Sequence, residues 1–137
     1  MNSNSTDAGV LVAPRSGTPP AEVSAGTRNG TAINRIGFDS CVLVAQSGAA
    51  SGGPSAFTLD AKLQDSADGA TGWADITGAA VQQITTANGI ARVNVSLPTA
   101  RRFVRVVEAV TLTGGSGPKL GAACSLVLCG PDEIPAI

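Results

Sequence analysis

From Phe57 to Gln64 the chain alternates apolar Phe57, Leu59, Ala61 and Leu63 with polar Thr58, Asp60, Lys62 and Gln64. This is the period-two signature of a strand with one buried face. Asp65, Ser66, Asp68, Gly69 and Gly72 then supply turn chemistry, and Trp73 opens the returning strand, so a β-hairpin is predicted over 57–76. Short apolar runs separated by Gly, Pro, Asn or Asp predict further strands over 31–38, 41–46, 56–64, 73–76, 81–86, 90–97, 102–113 and 120–129. Turn signals fall at Asp39-Ser40, across 47–55, at Asn88-Gly89, at Pro98 and across 114–118. Asn88-Gly89 is the best two-residue hairpin turn, because both residues tolerate positive φ. No segment of helical length shows a 3.6-residue period.

Some strands are apolar on both faces. In 102–113 the even positions Val104, Val106, Val110 and Leu112 form one row, while Phe103, Val107 and Ala109 partly fill the other. The same holds for 41–44 and 120–129. Such strands are expected to be covered twice, once by a sandwich core and once by a terminal arm, a loop or a second subunit. The predicted fold is therefore all-β: one antiparallel domain over 31–137, with the turn spacing of a sandwich or barrel, preceded by an extended arm over 1–30.

The arm is rich in Ser, Thr, Asn, Gly and Pro, with one apolar patch at Val10, Leu11, Val12 and Ala13. The patch is expected either to add as an edge strand to its own domain or a neighbour, or to start a disordered terminus with a short first strand.

Composition changes the picture mainly by exclusion. The chain has 137 residues, enough for one domain with its own core, and contains 17 Gly and 8 Pro with only 14% charged and 3% aromatic residues. It has no His, which removes the usual general base, the commonest metal ligand and the natural pH switch, so an enzyme is not expected. A net charge of −1 offers no basic face for phosphates, so no nucleic-acid binding is expected. No signal-peptide pattern opens the chain, and no apolar run reaches the roughly 18–20 residues of a membrane helix. A soluble chain without membrane contact is predicted.

Cys41, Cys124 and Cys129 make an odd count, which points to free, buried thiols in a reducing compartment. Neither a thiol nucleophile without His nor a zinc site fits these spacings. Asp65, Asp68 and Asp75 beside the Gly-rich turn invite a calcium site, but they lack the ligand spacing of a cation loop. No cofactor is expected. Trp73 reads as a core anchor, and with no Tyr in the chain a sugar platform lacks its aromatic faces. The loops 48–53 and 114–117 lack the Lys of a phosphate cradle. Arg101, Arg102 and Arg105, with Arg92 on a nearby strand, form the densest basic cluster. They read either as a solvated strand edge or as an intersubunit salt-bridge contact.

Three stretches carry a resemblance: Leu63-Gln64-Asp65-Ser66-Ala67-Asp68-Gly69, then Gly72-Trp73-Ala74-Asp75-Ile76, then Arg101-Arg102-Phe103-Val104-Arg105-Val106. Over about residues 56–110 the chain resembles capsid decoration or cement proteins of tailed bacteriophages. Among them it looks most like the jelly-roll cement proteins of short-tailed phages, the Bordetella phage included. Phe103 stands where the pattern usually has Tyr. The resemblance implies an antiparallel β-sandwich of jelly-roll type and a non-enzymatic virion protein, made in the host cytoplasm, that binds the outside of the capsid and the major capsid protein and self-associates as a dimer or trimer. The expected contact residues are Val10, Leu11, Val12 and Ala13 with Arg101, Arg102 and Arg105. A receptor- or glycan-binding head fibre, or another tail or connector component, is the competing expectation.

Overall fold

The computed structural model describes residues 7–132. Among the described residues a single 3-10 turn, Ala8–Val10, leads into nine strands: β1 (Val12–Val23), β2 (Gly26–Asn29), β3 (Ile33–Asn34), β4 (Phe38–Ser51), β5 (Ala56–Ser66), β6 (Ala74–Ala80), β7 (Ile90–Ser96), β8 (Phe103–Thr113) and β9 (Lys119–Pro131). They form two antiparallel sheets. Sheet A has the order β1-β9-β4-β7, and sheet B has the order β2-β8-β5-β6, with β3 continuing the β2 edge along β8.

The pairing is nested: β1 with β9, β2 and β3 with β8, β4 with β7, β5 with β6. A long antiparallel ribbon folded on itself in this way, closed by the β4–β9 and β5–β8 pairs, is a jelly roll. The sheets pack as a sandwich, and the alternation read from the sequence decides which rows face inward. Cys41, Leu43 and Ala45 of β4 meet Leu128, Leu126 and Cys124 of β9 across one wall of the core. Leu59, Ala61 and Leu63 of β5 with Val104, Val106 and Val110 of β8 form the other.

Several expectations are corrected. Residues 12–29 take the alternative of pairing with their own domain, with β1 and β2 as edge strands of the two sheets, so the sandwich includes them and no boundary falls at residue 30. Leu11 and Ala13 are only 5% and 4% exposed, packed into the chain's own domain. The burial of this patch, together with main-chain pairing to β9, outweighs the polarity of the stretch around it. Residues 1–6 of the expected arm lie outside the described residues. The predicted strand over 31–38 shrinks to β3, since the chain there leaves sheet B to enter sheet A at Phe38. Asp39-Ser40 and residues 47–51 lie within β4, whose pairing to β9 absorbs the turn-forming residues. The predicted strand over 81–86 is reduced to one bridge, Ile84 with Leu59. Asn88, at φ 57°, turns the chain from that bridge in sheet B towards β7 in sheet A. Positive φ there serves a crossover between sheets rather than a hairpin.

Gly17 and Gly30 lie where β1 comes closest to the β2 edge. A Cβ on Gly30 would meet the Gly17 carbonyl oxygen at 2.2 Å, and one on Gly17 would meet a Val106 methyl at 2.6 Å. Only glycine lets the backbones approach this closely.

Candidate interaction site

The residues that carry the sequence resemblance converge at one end of sheet B. Asp68 shapes the β5–β6 turn: Oδ1 accepts the Ala70 and Thr71 N–H groups at 2.9 and 2.8 Å, and Oδ2 accepts the Thr71 hydroxyl at 2.8 Å. Ser66, fully buried, accepts the Gly69 N–H and donates to the Thr71 carbonyl. Gly69, at φ 76°, lies against the Phe103 ring, where a Cβ would come within 3.0 Å. Arg101 locks the turn to the strand end. Its guanidinium donates to Asp65 Oδ1 at 3.0 and 2.8 Å and to the Gly72 carbonyl at 2.7 Å, while its N–H donates to Asp65 Oδ2. Arg35 donates to the carbonyls of Ala100 and Arg101 from the other side.

Arg105 lies 4.4 Å over the Trp73 ring and donates to Gln64 Oε1. Trp73 is thus half-buried on the outer surface and is not the core anchor expected of it. Asp75 accepts from Lys62 and Gln64, both at 2.9 Å. Asp65, Asp68 and Asp75 are each engaged in separate bonds and, among the described residues, do not converge on a cation site.

These bonds set the carboxylates' acid strength. Burial pushes the Asp65 carboxyl up, but the Arg101 side-chain and backbone bonds more than offset it, and the net shift is downward. The Thr71 and Ala70 N–H groups hold Asp68 far below the usual carboxylate range, and Gln64 and Lys62 lower Asp75. A carboxylate lowered by folding contributes stability above its unfolded value and loses it as pH falls through its folded value. Thermal stability is therefore expected to be level through neutral pH and to fall below about pH 4. Melting curves across pH check this, and Asp68→Ala is expected to weaken the acid dependence.

The basic cluster is divided by the fold. Arg101 and Arg105 are held by partners in their own chain, whereas Arg102 is exposed, with its guanidinium 5.4 Å from the Phe103 ring centroid. Arg92 lies on β7 in the opposite sheet. Of the apolar patch, Leu11 and Ala13 are buried inside the domain, Val10 ends the 3-10 turn, and Val12 lies on the outer face of sheet A beside Cys129.

That outer face is where the two sheets differ most. Three cross-strand rows run over it: Val12–Cys129–Ser40–Ser96, Pro14–Val127–Val42–Asn94 and Ser16–Ser125–Val44–Arg92. Valine dominates the centre, Arg92 at the margin is the only charge in these rows, and Ile90 beyond it is 65% exposed. The outer face of sheet B is polar instead, with Asp60, Lys62, Gln64, Asp75 and Arg105 bonded within the chain. The apolar second faces of 41–44 and 120–129 seen in the sequence thus come together on one half-buried, outward-facing surface.

A buried polar cluster, not foreseen from the sequence, joins the sheets inside. Glu108 of β8 is 0% exposed and sits in the inward row of valines. Its Oε1 accepts Arg28 Nε at 2.8 Å, and its Oε2 accepts Arg28 Nη2 at 3.0 Å and the Thr18 hydroxyl at 2.7 Å. Arg28 also donates to the Pro19 and Ala122 carbonyls. A charged residue interrupting the 104–112 apolar row was the available signal.

All three cysteines are free. Burial pushes the Cys41 and Cys124 thiols up to about 12, so both stay protonated and unreactive near neutral pH.

The fold and surface define a jelly-roll β-sandwich with one apolar outer face. No protein-family model matches the sequence, and no curated protein matches it. Among solved structures it is similar to YomS, an SPBc2 prophage-derived protein, at 12% identity over 85% of this chain and 92% of that one, with a TM-score of 0.44. It is also similar to a disulfide-linked pilus of Bacillus endospore appendages, at 19% identity over 96% of this chain and 99% of that one, with a TM-score of 0.41.

Proposed function

We propose that this chain is a non-enzymatic virion structural protein that binds the outside of a phage capsid and clamps neighbouring major capsid subunits, after synthesis in the host cytoplasm. The observation that carries the reading is the division of labour between the two outer faces. The charges of sheet B are bonded within the chain, whereas the half-buried Val12, Val42, Val44 and Val127 face outward from sheet A, and no further layer among the described residues covers them. Burying such a surface at a subunit junction is worth about 25 cal/mol per Å² removed from water. Each site can be weak, because a subunit held by several capsid neighbours gains by effective concentration. The motif residues around Asp68, Trp73 and Arg101 act on this reading as a brace that keeps the β5–β6 end rigid.

Co-sedimentation with capsids lacking this protein tests the reading, with cryo-electron microscopy of the pellet. The wild type is expected to pellet with capsids and to add density at subunit junctions. Val127→Lys, an outward substitution that leaves the core intact, is expected to stay in the supernatant. Wild-type protein remaining in the supernatant overturns the proposal.

A further inference from the structure

An antiparallel sheet edge presents unpaired N–H and C=O groups, and soluble proteins ordinarily blunt such edges. Three of the four edges here are blunted. β1 carries Pro14, Pro19 and Pro20 and two register shifts against β9. The β2–β3 edge consists of pieces of four and two residues. β6 has a register shift against β5 and Gly78 at φ 78°.

β7 is different. Its seven residues, Ile90–Ser96, contain no Pro or Gly and pair with β4 from Gln46↔Ile90 to Ser40↔Ser96 without a shift. Among the described residues, its backbone has no hydrogen-bond partner beyond β4. Ile90, Arg92, Asn94 and Ser96 are exposed on its outer face.

We propose that a second copy of this chain pairs with this edge, β7 against β7, antiparallel about a two-fold axis at Val93. The four strands of each sheet A then form one continuous sheet. This register uses every residue of the strand, with Ile90 opposite Ser96, Ala91 opposite Val95 and Arg92 opposite Asn94 of the other copy. It is also the register that charge favours. A two-fold axis at Arg92 would set two guanidinium groups face to face, whereas the axis at Val93 gives each one an amide oxygen to bond. Pairing across a two-fold axis is self-complementary and closes at two copies, so it does not propagate into fibres. The paired edge would bring two apolar outer faces into one surface, but the dimer stands independently of any capsid role.

The test is the solution mass of the purified full chain by analytical ultracentrifugation over a concentration series, with three forms compared. The wild type is expected to reach twice the 13.5 kDa of one chain. Asn94→Arg sets Arg against Arg twice across the axis and is expected to weaken dimerisation about tenfold or more. Adding Arg92→Glu to Asn94→Arg creates two Glu–Arg pairs and is expected to restore the dimer. Both positions are exposed, and matching melting curves confirm that the variants fold. A wild type that stays monomeric, a dimer indifferent to Asn94→Arg, or a double variant that fails to recover each overturns the proposal.

Discussion

A fragment of residues 31–137 is expected to lose cooperative unfolding and to aggregate, although the composition of the first thirty residues reads like a dispensable leader. Removing them takes β1 from β9 and β2 from β8, baring an edge in each sheet. Leu11 and Ala13 leave the core, and Leu126 and Leu128 lose the strand beside them. Thr18 and Arg28 go with them, leaving Glu108 buried without a cationic partner. An uncompensated buried charge alone costs about 3–5 kcal/mol, against a total stability of about 5–15 kcal/mol for an ordinary domain. The newly bared edges are templates for intermolecular pairing. Thermal melts followed by circular dichroism, with amide dispersion by NMR, check this. A sigmoidal melt from a dispersed, monomeric fragment would show that 1–30 is an arm after all.

The second large effect is expected from Arg28→Ala. Arg28 binds the fully buried Glu108 through two nitrogens, and its side chain is itself three-quarters buried. Truncation keeps every strand but leaves the carboxylate with only the Thr18 hydroxyl and the Cys124 thiol as neighbours. The expected loss is about 3–5 kcal/mol, which for a domain of this size lowers the melting temperature by about 10 °C or more. Replacing the cluster together, Arg28→Met with Glu108→Leu and Thr18→Val, is expected to recover most of that loss, because no charge is then left unpaired. Chemical denaturation of both variants separates the two outcomes. An Arg28→Ala protein as stable as the wild type would show that Glu108 draws its compensation from elsewhere.

How much of this was legible in the sequence follows from the range of the interactions involved. The alternation at Phe57, Leu59, Ala61 and Leu63, the turn chemistry of Asp68 and Gly69, and the doubly apolar 41–44 and 120–129 stretches are local patterns. They determined an all-β chain, the positions of β5, β7, β8 and β9, and the expectation that 41–44 and 120–129 carry a second apolar face in need of cover. What tertiary structure alone decided depends on partners distant along the chain. Leu11 and Ala13 look like part of a polar leader until β9 pairs with the strand that begins at Val12. Trp73 reads as core until Arg105 is found above its ring. Arg101 reads as a free basic edge until Asp65 and the Gly72 carbonyl take its hydrogens, and Glu108 reads as an interruption until Arg28 and Thr18 surround it. Each of these needs two segments brought together by the nested ribbon, and local hydrophobic periodicity carries no information about which strand becomes the neighbour. The same reason leaves β7's open edge unreadable from Ile90–Ser96 itself, since a strand becomes an edge only through what the rest of the chain does not place beside it.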